Sequence, residues 1–218
     1  MPTLPTSLTS SVILPYSLNA VTPNIGMGFD LGVEVHGLVK DKFGYEVGIF
    51  NGTGSSVNVA SKTFSDDWHI PSLLYAGRIT YMPKGVMPSN QGSPNRLKED
   101  KMLFGLSTSL NVESESESTN DFRAGAEFAM LKNRLYLGAE IYYLGGYVQG
   151  GYFVTNKLQA TARYDFFNRN GLDTNGFLNM PAVGFNYFFT GCNLKLQAMY
   201  QFIGRTGHDT QLDRDNDD

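Results

Sequence analysis

Leu158-Gln-Ala-Thr-Ala-Arg-Tyr-Asp-Phe166 alternates apolar and polar side chains along its whole length. The residues between the apolar positions are Gln159, Thr161, Arg163 and Asp165. A period of two predicts a β-strand with one apolar face and one polar face. The pattern recurs in 183–189 and 194–202, where the apolar faces again end in aromatic residues. Tilted strands of about nine residues can cross a bilayer, and aromatic residues are typical of its two interfaces.

The composition excludes several classes of protein. The 218 residues include 15 Phe and 12 Tyr, and only 17% are charged, below the roughly 25% of soluble domains. No apolar run reaches the length of about 18 residues that a membrane-spanning helix needs, so a helical membrane protein is excluded. The net charge is −4 and the basic residues do not cluster, so no nucleic-acid partner is expected.

Period-two segments and turn signals predict an antiparallel meander of about ten strands over residues 25–205, with no helical period. Residues 1–24 are expected to form a loop, and residues 206–218 a polar external loop or tail. Longer polar connections are expected at 51–71, 83–101, 113–118 and 170–176. Tight turns are predicted at the following places: Lys40–Gly44, Lys132–Arg134, Gly145–Gly146, Thr155–Lys157 and Gly191–Asn193.

An antiparallel meander also gives a topology. Four of these turns, at 40–44, 132–134, 155–157 and 191–193, are separated from one another by even numbers of strands. They should therefore share one side of the membrane, which we expect to be the periplasmic side. Connections 51–71 and 170–176 would then be external, and 83–101 would be periplasmic despite its length.

Two fold classes show alternation of this kind. A soluble β-sandwich would bury its apolar faces and expose its charges, whereas a transmembrane antiparallel β-barrel does the reverse. Strand length, aromatic residues at the ends of the apolar faces, and short turns that alternate with longer loops favour the barrel. The predicted fold is thus all-β, a transmembrane barrel, and the soluble strand-rich protein remains the alternative.

Four stretches resemble the phosphate-selective porin family of Gram-negative outer membranes. The similarity runs from about residue 25 to 203 in consistent order and spacing. The stretches are Asp30-Leu-Gly-Val-Glu-Val-His-Gly37; Tyr45-Glu-Val-Gly-Ile-Phe-Asn-Gly52; Leu74-Tyr-Ala-Gly-Arg-Ile-Thr-Tyr-Met-Pro83 with Met87-Pro88 and Gln91-Gly92; and Tyr147-Val-Gln-Gly-Gly-Tyr-Phe153 with Lys157-Leu158 and Ala162-Arg-Tyr164.

The resemblance implies a 16-stranded outer-membrane barrel, usually a homotrimer, that passes anions through a water-filled lumen. The partners would be outer-membrane lipid and small ions or solutes. By this comparison the chain resembles the C-terminal part of the barrel. Residues 1–24 then lie in or near the loop that narrows the pore.

The polar faces supply the candidate pore-lining residues. Four are cationic and five are anionic, so a mixed wall with weak ion selectivity is expected, because selectivity by charge needs a ring of one sign. Residues 1–39 contain no Lys or Arg, so strict phosphate selectivity is not expected. The candidates are Glu34, His36, Glu46, Arg78, Arg123, Glu127, Glu140, Arg163, Asp165 and Lys195.

No arrangement of residues predicts catalysis, a cofactor or a metal, so the chain is not expected to be an enzyme. Glu34 and His36 share a face, where a hydrogen bond on the lumen wall is favoured over a metal site. The leading hypothesis is a porin for passive diffusion of small hydrophilic solutes or ions, with weak anion preference. The alternatives are a structural barrel that sheathes a threaded protein or electron conduit, and a soluble or surface β-rich binding protein.

Overall fold

The computed structural model describes residues 32–50, 73–88, 92–112, 121–142, 145–168 and 177–206. Predictions for segments 1–24, 51–71, 113–118 and 170–176 lie outside these residues, as does nearly all of 206–218. None of the described segments forms a helix long and apolar enough to cross a membrane. The strands are β1 Gly32–Val39, β2 Phe43–Phe50, β3 Leu73–Tyr81, β4 Asp100–Val112, β5 Asp121–Lys132, β6 Leu135–Tyr142, β7 Gly145–Phe153, β8 Leu158–Asn168, β9 Phe177–Thr190, β10 Leu194–Gln201 and β11 Gly204–Thr206.

The strands form one antiparallel sheet in which β1 to β10 pair in chain order, and β11 pairs with the start of β9. The predicted all-β meander is therefore confirmed. Within the described residues, β1 has a strand neighbour only at β2, and β10 only at β9, so these strands do not close into a complete barrel.

The connections at one edge of the sheet are mostly tight turns. Lys40 and Asp41 have φ of 52°, Asn133 has 53° and Gly191 has 51°, a region that glycine and asparagine adopt most readily. The longer connection between β3 and β4 lies at this same edge, because the strands alternate in direction. We call the edge of the sheet that carries these connections the turn edge, and the opposite edge the loop edge. Which side of the membrane each faces stays a prediction.

One predicted turn is wrong. Gly145 and Gly146 belong to β7, where they pair with Tyr142 and Ile141 of β6. A side chain at either glycine would meet the backbone of a neighbouring strand and the ring of Phe166 or Phe167 in β8. The glycines thus allow neighbouring strands to approach closely. Glycine within a sheet often has this role, whereas the prediction assumed that the pair forms a turn.

Apolar side chains cover the outer face of the sheet. Val33 is 76% exposed, Val47 59%, Ile79 60% and Val183 60%. Because side chains alternate between faces, the polar residues between them point inward. The buried residues also lie on this inner face, among them Ala129, Phe153 and Phe188. A monomeric soluble protein rarely exposes a continuous apolar surface of this extent.

Aromatic rings lie on the outer face near both edges. At the turn edge, Phe43, Tyr81, Phe104 and Phe128 are direct partners across β2 to β5. The ring centroids of Phe43 and Tyr81 are 4.9 Å apart, and those of Phe104 and Phe128 are 5.3 Å apart. At the loop edge, Phe166 stacks on Phe177 at 6.3 Å. Two aromatic rows that flank an apolar band are typical of a membrane barrel.

Candidate functional site

The inner face of the sheet carries every candidate pore-lining residue predicted from the sequence. The structure sorts them into an arginine cluster on β2, β3 and β5, a second network on β6 to β8, and three separate positions. The amides of β8 to β10 form a further group.

Arg78 of β3 lies between two carboxylates. Its Nε donates to Oε1 of Glu127 at 2.5 Å, and its Nη1 donates to Oε1 of Glu46 at 3.0 Å. The side chains of Arg78 and Glu127 are each 9% exposed. One guanidinium and two carboxylates give this group, which we call the Arg78 cluster, a formal charge of −1. Buried charges are stable only when they are paired in this way.

A glycine makes the Arg78 cluster possible. Glu127 lies on β5, and β4 separates it from β3. Its direct partner on β4 is Gly105. A Cβ at Gly105 would occupy the space of the Glu127 side chain. The carboxylate therefore crosses β4 above Gly105 and reaches the guanidinium of Arg78.

A second network surrounds Arg163 on β8. Its Nε and Nη2 donate to the two carboxylate oxygens of Asp165, both at 2.8 Å, and Nη1 donates to Oε1 of Gln149 at 2.9 Å. The guanidinium carbon lies 3.7 Å from the ring centroid of Tyr147, a cation–π contact. Arg163 and Asp165 are both buried, so the arginine makes hydrogen bonds in a fixed orientation.

The same network continues to β6 through tyrosines. The hydroxyls of Tyr147 and Tyr142 both donate to Glu140, the latter at 2.8 Å. Arg163, Asp165 and Glu140 together have a formal charge of −1. We call these residues, with Gln149 and the two tyrosines, the Arg163 network.

A row of amides crosses β8, β9 and β10. Asn186 donates to Gln159 and accepts from Gln197, both at 2.9 Å. Gln159 and Asn186 are buried, and Gln197 is half-buried. These three residues are direct neighbours in the register of the strands. Amides both donate and accept, so the row presents neutral polar groups on the inner face.

The remaining candidates are not part of these groups. Nδ1 of His36 lies 3.2 Å from Oε1 of Glu34, two residues away on β1. Arg123 is half-buried opposite Ser109 of β4, and Lys195 is half-buried next to a bulge between β9 and β10. The described residues contain no group of three side chains that could hold a metal. His69 and His208 lie outside them.

Several uncharged polar residues of the inner face are not among the candidates predicted from the sequence. Tyr136, Tyr147 and Gln149 line the same inner face, and the hydroxyl of Tyr136 accepts from Gln149 at 3.5 Å. The period-two count places all three on the polar face of their strands. Their position on the polar face could therefore be read from the sequence, and a tyrosine at such a position indicates a hydrogen-bonding residue on the inner face.

Comparison with known protein families places the chain in one of them. A family model described as phosphate-selective porin O and P matches residues 6–218. A search of curated proteins and a search of solved structures each returned no match. The family match covers the apolar outer face, the polar inner face and both groups of charged residues.

Proposed function

We propose that this chain, which belongs to the phosphate-selective porin O and P family, forms part of the wall of a pore through which small hydrophilic solutes and ions diffuse passively. The family is one of channels and not of enzymes. The observation that carries the proposal is the contrast between the two faces of the sheet. One face suits lipid, and the other carries charged and amide groups.

The same contrast supports a location in the outer membrane. Proteins of this family reside in the outer membrane of Gram-negative bacteria. The apolar band between the aromatic rows would contact lipid, and the rows would lie at its two interfaces. A soluble binding protein would need a partner over most of this outer face. The homotrimer implied by the resemblance stays a prediction.

We further propose that the pore is only weakly selective, although the family description names phosphate. Arg78 is paired with two carboxylates, and the Arg163 network contains two, Asp165 and Glu140. A paired guanidinium has less field left for a passing anion. Selection by charge needs a ring of one sign, and the two arginine groups on this wall do not provide one.

Conductance in a planar bilayer tests the proposal. Full-length protein purified in detergent should form open channels by itself in KCl. A salt gradient should give a reversal potential close to that of a non-selective pore. Phosphate should compete with chloride only weakly. If no channel opens and the protein copurifies with a second protein inside the barrel, the sheath hypothesis would replace the porin.

A further inference from the structure

The connection between β3 and β4 differs from the others at the turn edge, because its described residues pack onto the inner face of the sheet. Met82 and Met87 are 6% and 9% exposed. They form one apolar cluster with Leu103, Ala129, Leu131 and Tyr136 of β4, β5 and β6. A pore wall that faces water would not normally expose the apolar residues of this cluster on β4 to β6. Met82 and Met87 shield these wall residues from water.

Hydrogen bonds fix this segment to its neighbours on both sides. The amide of Met82 donates to the carbonyl of Lys42 in the β1–β2 turn at 2.7 Å. The amide of Asn133 in the β5–β6 turn donates to the carbonyl of Glu99 at 3.1 Å. Between these points, the amide of Met87 lies 3.3 Å from the sulfur of Met82. The segment is therefore attached at two flanking turns.

The second half of the connection is also ordered locally. Pro94–Arg96 form a 3₁₀ turn that begins after the buried Ser93, whose hydroxyl accepts from the amide of Asn95 at 3.2 Å. Arg96 pairs with Glu99 at 2.5 Å. Serine as the N-cap and proline at the first position are favourable starts for a helical turn. This half is thus a compact unit.

The segment also reaches strands far away in the sheet. Met199 of β10 packs against the apolar cluster that contains Met82, Met87 and the wall residues of β4 to β6. Nδ2 of Asn95 lies 3.8 Å from the position that a Cβ of Gly191 would take in the β9–β10 turn. β9 and β10 are five and six strands from β4 in the sheet order. The connection therefore extends across the inner face, from the apolar cluster on β4 to β6 to the β9–β10 turn.

We infer that the described parts of the β3–β4 connection, residues 82–88 and 92–99, form an inward-folded constriction at the turn edge that sets the size limit for solutes. The inference rests on the proposed function, because a size limit needs a pore. Met87 holds the segment against the wall. Its exposed neighbour, Val86, does not contribute to that packing, since it is 45% exposed.

Met87 and Val86 are adjacent in sequence but differ in burial, so they give a matched pair of variants. Met87→Asp places a charge in the apolar cluster and should release the segment from the wall. Single-channel conductance should rise, and larger neutral polymers should enter the pore. Val86→Asp adds the same charge at the next residue and should leave both properties as in the wild type. A third variant, with residues 83–98 replaced by a short Asn-Gly turn, should match or exceed Met87→Asp.

The measurements are single-channel conductance in KCl and exclusion of polyethylene glycols of graded size, on full-length protein that shows the folded band on a cold gel. If Met87→Asp does not fold, Met87→Ser and the shortened variant take its place. If all of these variants keep the conductance and polymer cut-off of the wild type, the constriction is wrong, but the proposed porin function is unaffected. A wild type that forms no channel would instead overturn the proposed function.

Discussion

Gly105 shows how one missing side chain determines an electrostatic cluster. The carboxylate of Glu127 can reach Arg78 only because it passes above this glycine. Gly77, next to Arg78 on β3, has a different environment. A Cβ there would meet only the carbonyl oxygen of Glu46, at 3.8 Å, which is an ordinary contact. The two glycines therefore separate the effect of crowding from the effect of losing glycine.

We predict that Gly105→Ala displaces Glu127 and destabilises the protein by about 1–3 kcal/mol, the usual effect of overpacking. Gly77→Ala should be close to neutral. Urea titration of the folded protein in lipid vesicles, followed by gel mobility, gives the free energy of unfolding. Equal losses in both variants would show that Glu127 does not depend on the space above Gly105.

At the scale of the strand, β10 offers a test of which face meets lipid. Leu196 is 54% exposed on the outer face, and Gln197 is half-buried on the inner face. We predict that Leu196→Arg destabilises the protein by roughly 2–4 kcal/mol if it lies near the bilayer midplane. Leu137→Arg and Phe185→Arg should behave in the same way.

Gln197→Arg is the matched control, because its side chain has water within reach, and its effect should be mild. Gln159 is unsuitable as a control, because it is fully buried in the amide row. The measurement is again unfolding by urea in vesicles. A loss for Gln197→Arg as large as that for Leu196→Arg would argue against a lipid-facing outer surface.

The turns allow a test of orientation. Asp41 and Asn156 are exposed and belong to different turns at the same edge of the sheet. Asp41→Cys and Asn156→Cys should therefore react alike with a membrane-impermeant maleimide. We expect both to be protected in intact cells and labelled after lysis, as for periplasmic turns. Labelling of only one of them in intact cells would contradict a shared edge.

Local signals explain why the strands could be predicted from sequence. Alternation over Leu158–Phe166 fixed both faces of β8, and the structure places Gln159 and Asp165 inside as expected. Gly145–Gly146 failed because glycine marks turns and close approaches equally well, and the difference depends on the aromatic residues of β8. The short β11 depends on pairing with distant β9, which no local pattern encodes.

For the whole molecule, the sequence located the charged residues on the inner face but could not pair them. Arg78 and Glu127 are 49 residues apart, and their contact depends on a third strand that carries Gly105. The packing of Met82 and Met87 against the inner face was not predicted either. The proline, glycine and polar residues of the β3–β4 connection are typical of a loop. Met82 and Met87 are five residues apart and belong to no repeating apolar pattern, so their burial could not be predicted.

The last prediction concerns the arginines of the whole wall: Arg78, Arg123 and Arg163. Each replacement by alanine changes the local formal charge by −1 and exposes the field of the neighbouring carboxylates. A single replacement should shift the anion-over-cation preference only slightly, because it changes the charge of a mixed wall by one unit. The triple variant should favour cations clearly. Screening should reduce the shift as the Debye length falls from about 10 Å at 0.1 M salt to about 3 Å at 1 M.

Reversal potentials under a salt gradient measure this preference in planar bilayers. The control is Lys40, Lys42 and Lys157 replaced together by alanine, which changes the formal charge equally at exposed turn positions. Its shift should be smaller than that of the arginine triple, because exposed charges at the mouth are screened more strongly than charges within the wall. An arginine triple with the wild-type reversal potential would mean that these residues do not face the conducting path. The network around Arg163 would then serve to hold β6, β7 and β8 together, and conduction would have to follow another surface.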